Sequence, residues 1–363
     1  GELQPVYGTD HRWADQLPGA VISPPSSADL ARYWVPMLGI YPVRGCPYQC
    51  NYCSVIKISG RQVRSPDLES TLMSLRLAKR SGIEMIMFVS DNFNKFPGAR
   101  ELLQSMIDEK LNLRFFCQCD TQIAKDPELV ELLGRANCFE MFVGVESFNR
   151  KTLKAAGKYH NHPEQYVEII RLCNEAGIRP HFSNIIGFPS DDEKEIFHHL
   201  DVLKTLRPKV VSFYILTPIP GTEQYNEFSK SGVITEQNLD RFDATYPTWS
   251  HPSLSHERLL DLLYRCYIDY YGFLLRTGSL SEENKRIAIF GRYSASQRMH
   301  PMSGGVDRLW VDSAADYAAM RHETYDINLA PLPDSLQLSV QDERLNRLAD
   351  WRRAKPLVER VST

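Results

Sequence analysis

The sequence predicts an α/β fold: six parallel strands rolled into a partial (β/α) barrel, followed by a mostly helical C-terminal region. Three observations carry this. Between Tyr33 and Leu216, short β-branched or aromatic runs alternate with amphipathic helical stretches. The units recur every 25–45 residues or about that, with no sequence repeat accompanying them. The polar clusters fall where strands end, which is where parallel α/β folds bind their ligands.

Residues 1–37 carry Pro5, Pro18, Pro24 and Pro25 with no sustained period, and predict a linker or arm. Tyr33 to Val43 gives the first strand. Ser65 to Ser81 is helical, with Leu68, Leu72, Leu75 and Leu77 as its apolar stripe and Gly82 as its stop. Strands over Glu84–Val89, Leu113–Cys119, Phe139–Val145, Arg179–Ile186 and Val210–Leu216 alternate with helices over Ala99–Lys110, Pro127–Arg135, Pro163–Ala176 and Glu193–Leu206. The barrel is expected to span 38–225. Beyond Tyr225 the alternation stops, and 226–363 is read as a C-terminal region that covers the barrel mouth or packs beside it. Ser255–Thr277 there predicts a long helix, and Val340–Ala354 a final one.

Composition narrows the function. A 363-residue chain with 43% hydrophobic residues and a net charge of −3 is globular, with no basic face for nucleic acid. No apolar run reaches the roughly eighteen residues that would span a membrane. Eight cysteines without paired spacing point to a reducing cytoplasm.

Three of those cysteines, Cys46, Cys50 and Cys53, stand at the spacing C-x3-C-x2-C. Three thiolates on one tight loop can hold three corners of an iron–sulfur cube and leave the fourth iron free of protein. Structural zinc would ask for a fourth ligand, and the next histidine after Cys53 is His160. An iron–sulfur site is favoured, with zinc as the alternative.

The loop Arg44-Gly45-Cys46-Pro47-Tyr48-Gln49-Cys50-Asn51-Tyr52-Cys53 resembles the cluster loop of the radical S-adenosylmethionine (SAM) superfamily, down to the aromatic before the last cysteine. Four further elements follow in the family's order. They are Ser90-Asp91-Asn92 after the second strand, Gly144-Val145-Glu146-Ser147 ending the fourth, Ile185-Ile186-Gly187-Phe188-Pro189 ending the fifth, and the run from Leu216-Thr217-Pro218 through Gly221-Thr222 to Tyr225. The resemblance implies a [4Fe-4S] cluster on the three cysteines whose free iron binds SAM, and reductive cleavage of SAM to a 5′-deoxyadenosyl radical.

It also implies the contacts. Tyr52 packs near adenine; Ser90, Asp91 and Asn92 meet the SAM amino group; Glu146 accepts hydrogen bonds from SAM. Gln118 faces inward with Asp120 where relatives often carry Glu and Arg, so the SAM carboxylate lacks an assigned partner. Ser183, Gly187 and Thr217 complete the set. Asp-Asn after a strand is also a common turn, and Glu146 could instead cap the next helix. Cys117 and Cys119 are then core thiols. His160, His162, His198 and His199 read as surface or cap positions.

The proline-rich ending resembles the cobalamin-associated branch, so the expected activity is methyltransferase-like, in a secondary-metabolite, lipid or tetrapyrrole pathway. A flavodoxin or ferredoxin would be the reductant and a small molecule the substrate. Cobalamin joins the expected cofactors, yet its D-x-H-x-x-G element is absent, so its domain lies elsewhere or the protein works without it. The alternatives are a cobalamin-independent cyclase, isomerase or oxidoreductase, and a non-enzymatic iron–sulfur or zinc protein. Arg292, Arg298 and His300 near Gly304-Gly305 are candidate substrate anchors.

Overall fold

A computed structural model of the chain describes residues 17, 19, 21–30 and 37–277. Six strands form one sheet in sequence order: β1 Met37–Ile40, β2 Met85–Phe88, β3 Arg114–Cys119, β4 Cys138–Glu146, β5 Arg179–Ile186 and β6 Val210–Ile215. Every neighbouring pair is parallel, as the alternation predicts. Among the described strands β6 does not pair with β1, so the barrel is open. The helices are α1 Ser27–Leu30, α2 Val55–Ile58, α3 Leu68–Arg80, α4 Ala99–Asp108, α5 Pro127–Arg135, α6 Arg150–Ala155, α7 Tyr166–Glu175, α8 Glu193–Leu206, α9 Glu223–Lys230 and α10 His256–Arg276. Among the described residues, no helix is long and apolar enough to cross a membrane.

Strand alternation sorts the side chains. Phe115, Cys117, Met141, Val143 and Phe182 point outward and are fully buried under the helices. Phe116, Gln118, Phe142 and His181 point the other way and are half-buried, facing the lumen.

Local chemistry sets the helix ends. Asp67 caps α3 by accepting from Ser70 N, and Pro127 opens α5 behind the Asp126 cap. The buried face of α3 runs through Leu72, Leu75 and Ala78; Leu77, expected in the stripe, is only half-buried because it lies two residues from Leu75 rather than three. Pro163–Gln165 forms a tight turn ahead of α7 rather than its first turn. Four helices, α1, α2, α6 and α9, went unpredicted; Asn149 and Thr222 cap the last two. The final helix over Val340–Ala354 and the anchors Arg292, Arg298 and His300 lie outside the described residues.

The β6 edge is closed by hydroxyls. Tyr271 OH accepts from Val211 N at 3.0 Å and donates to Val211 O at 2.7 Å; Tyr267 OH does the same for Phe213, at 3.1 Å each way. Ala244 O takes Ile215 N at 2.7 Å. Tyr267, Tyr270 and Tyr271 of α10 also belong to the main core, so this helix packs along the sheet edge and α8.

Candidate active site

The cysteine loop is held from three sides. An antiparallel bridge joins Arg44 to Arg64 at its base, and Cys46 N donates to Gly60 O at 3.2 Å. Gly45 turns there at φ +95°, and a Cβ would sit 2.1 Å from Gln62 O, so only glycine fits. Asp91, at the end of β2, accepts from Gly45 N at 2.7 Å. On the far side Asn51 N donates to Ala156 O at 3.1 Å, while Asn51 O accepts from Gln224 N at 3.0 Å.

Cys46, Cys50 and Cys53 line one cavity of about 180 Å³ together with Tyr52, Asp91, Asn92, Gln118, Asp120 and Glu146. Of the sequence-predicted residues, Ser90, Ser183, Gly187 and Thr217 stand outside its lining. Ser90 is buried with its hydroxyl unpartnered, and Thr217 Oγ1 donates to Ile215 O at 3.0 Å. Gly187, at φ +78°, makes its close approach to Leu259 of α10. Asn92 Nδ2 donates to Asp120 Oδ2 at 2.7 Å and lies 3.8 Å from Cys46 Sγ. Tyr52 packs edge-on to Phe188 at 6.0 Å, its buried hydroxyl without a partner. Cys117 and Cys119 are buried in the core, as expected of free thiols, and Cys119 also borders the cavity.

Glu146 owes its position to a bulge. Gly144 pairs with Ser183 and Glu146 with Asn184, so Val145 is the extra residue, and Glu146 adopts φ +62°. Asn161 Nδ2 donates to the carbonyls of Gly144 and Val145, both at 2.9 Å, and Tyr166 OH to that of Val145 at 3.0 Å. Glu146 does not cap α6; Asn149 does. Its Oε1 accepts from Lys158 Nζ at 2.6 Å and its Oε2 from Ser183 Oγ at 3.2 Å. A Cβ on Gly144 would stand 2.5 Å from Glu146 Oε1 and 2.9 Å from Lys158 Nζ, so glycine makes room for the pair.

Lys158, a lysine after a short helix, resembles any solvated one in the sequence, and no periodicity marks it. Burial works against its charge, but Glu146 and then Cys50 outweigh that and raise its pKa above the ordinary lysine value. His160 is not the surface or cap residue expected. It lines the cavity, stacked on Tyr48 with ring centroids 3.4 Å apart, and burial followed by Lys158 lowers its pKa to about 3, so the ring is neutral. His162 and His198 are peripheral, while His199 is buried against Glu195 at 3.1 Å.

The donor set suits an iron–sulfur cluster. Burial raises the pKa of all three thiols, that of Cys50 to about 12, so without metal they hold their protons at neutral pH. Iron would displace those protons. Among the described residues no three His, Cys, Asp or Glu side chains converge on a single-ion site. In a cube each thiolate takes a different iron, so the three need only ring a shared space.

Comparison with known proteins agrees. The Radical SAM superfamily profile matches residues 40–203. Bacteriochlorophyllide d C-12(1)-methyltransferase of Chlorobaculum tepidum is 26% identical over 270 residues, covering 72% of this chain and 58% of that protein. Hopanoid C-2 methylase of Rhodopseudomonas palustris is 27% identical over 207 residues, 54% of this chain and 39% of the methylase. The chain thus spans about half the length of the curated relatives it matches. In fold it is similar to the radical SAM methyltransferase TsrM of Kitasatospora setae, solved with cobalamin and a [4Fe-4S] cluster (TM-score 0.55, 23% identity, 61% of this chain and 43% of that one). It is also similar to OxsB, a cobalamin-dependent SAM radical enzyme (TM-score 0.54, 15% identity, 87% and 58%). Residues 40–203, with the cysteine loop, the Glu146 bulge and Lys158, therefore belong to the radical SAM superfamily.

Proposed function

We propose that the chain is the catalytic part of a radical SAM methyltransferase acting on an unactivated carbon of a small molecule, of secondary-metabolite, lipid or tetrapyrrole type. The observation that carries this is the shared cavity, with three cysteines on one wall and the buried Glu146–Lys158 pair on another. Cys46, Cys50 and Cys53 would hold a [4Fe-4S] cluster. The chemistry such a cluster supplies when reduced is one-electron cleavage of SAM to methionine and a 5′-deoxyadenosyl radical.

The chain's own residues bind and orient. Glu146, fixed by the bulge and by Ser183, accepts from the donors of SAM. Lys158 offers the cation for the SAM carboxylate that β3 does not provide. Asp91, Asn92 and Gln118 present polar atoms to the amino acid end, and Tyr52 with Phe188 excludes water from the adenosine side. Ser90, Ser183, Gly187 and Thr217 serve from behind the lining. A flavodoxin- or ferredoxin-type reductant and a cytoplasmic setting complete the proposal. The relatives' names, two methylating enzymes of a bacteriochlorophyllide and a hopanoid, support methyl transfer. Cobalamin, present in both solved neighbours, finds no D-x-H-x-x-G element in residues 1–363, and no step is assigned to it.

Anaerobic reconstitution should give about four irons per chain. With SAM and dithionite the loaded protein should release 5′-deoxyadenosine. The proposal fails if the variant with serine at all three cysteines keeps its iron, or if fully loaded protein leaves SAM intact.

A further inference from the structure

We propose that the Tyr48–His160 stack is a shield between the cysteine cavity and solvent, with His160 as the positioning residue that holds Tyr48 beside Cys46 and Cys50. The inference rests on the cluster proposed above. Both rings line the cavity, yet their chain neighbours Pro47, Gln49 and Tyr159 are exposed, Tyr159 by 66%. The pair is therefore the layer where the cavity wall meets water.

Its geometry is a near-parallel sandwich, at 3.4 Å and 10°. His160 is anchored directly to the turn after β3, and Tyr48 meets it by way of Lys95. His160 O accepts from Gln122 Nε2 and, at 3.4 Å, from Thr121 Oγ1. Lys95 Nζ lies 5.6 Å from the centroid of the Tyr48 ring and 3.5 Å from Asp120 Oδ2. Asp120 N in turn donates to Asn94 Oδ1 at 2.9 Å and to Asn92 Oδ1 at 3.2 Å. Two loops far apart in sequence are thus clamped face to face through one rigid turn. The stacked rings keep water and dioxygen from the thiolates. The dry shell around an iron–sulfur site controls both solvent access and reduction potential.

The test uses the anaerobically reconstituted full chain, with iron counted before exposure to air. In His160→Ala the visible cluster absorbance should decay faster in air by about fivefold or more, and the reduction potential should rise as water reaches the more negative reduced state. His160→Phe, which keeps a flat ring, should restore both. Tyr48→Leu should repeat the His160→Ala behaviour from the other side of the stack, and stands in if His160→Ala does not fold. Lifetimes and potentials equal to wild type in a folded, fully loaded His160→Ala or Tyr48→Leu overturn the shield. Failure of the wild type to load iron overturns the cluster proposal and the shield with it.

Discussion

The Glu146–Lys158 pair gives the sharpest quantitative test. Each side chain is 10% exposed, and the ions meet at 2.6 Å. With an effective dielectric of about 20, that separation corresponds to an attraction of about 6 kcal/mol before desolvation is set against it. Removing one partner leaves the other charged and dry, a loss that typically reaches about 3–5 kcal/mol. Lys158→Met should therefore lower the unfolding free energy of the metal-free chain by about 3–5 kcal/mol in urea titrations. Glu146→Gln strands the lysine and should cost a similar amount. The double variant strands neither ion, so the two effects should fall short of additivity by about 2 kcal/mol or more. Both single variants should also weaken SAM binding, measured anaerobically by calorimetry. A Lys158→Met cost under about 1 kcal/mol, or additive losses in the double variant, would refute the buried pair.

Two other outcomes follow from the same side of the molecule. Asp191 is buried, accepts from Phe188 N at 3.0 Å, and has its pKa raised by burial from 3.8 to about 7. The folded state thus holds the proton more tightly, so this contribution to stability is full below pH 3.8 and is lost as pH rises through about 7. Asp191→Asn keeps the acceptor without the charge; its stability advantage should grow by about 2–3 kcal/mol between pH 5 and pH 8, and a gap that stays flat across chemical denaturation at the two pH values contradicts this. Gly157, at φ +71°, lies where a Cβ would meet Gln49 O at 2.5 Å, so Gly157→Ala should cost about 2 kcal/mol and reduce iron loading by displacing the cysteine loop. Wild-type melting and iron content in that variant would show that the loop yields freely.

The sheet was legible because each strand repeats the same local signal, a short branched or aromatic run after a helix stop such as Gly82 or Gly177. The cysteine loop was legible because its spacing is a local covalent fact. What escaped were features made by distant neighbours. Lys158 is a ligand candidate only because β4 bulges at Val145 and turns Glu146 toward it. His160 reaches the cavity only because Tyr48, more than a hundred residues earlier, offers a face to stack on. Helix α6, six residues long, is too short to show a period, and its cap Asn149 resembles any turn residue. Leu77 misled because leucine outranks alanine in hydrophobicity, whereas the angle around the helix chose Ala78.

The hydroxyl-sealed margin of β6 bears on how the protein can be cut. Val211 and Phe213 spend their outward amide and carbonyl groups on two tyrosines that arrive more than fifty residues later in the chain. Until that helix is made and docked, or if it is deleted, the strand is an unsatisfied template able to recruit any extended peptide. A version ending near Thr222, although it retains the cysteines and Glu146, would therefore be sticky before it was inactive. The smallest well-behaved catalytic fragment has to run through Tyr271.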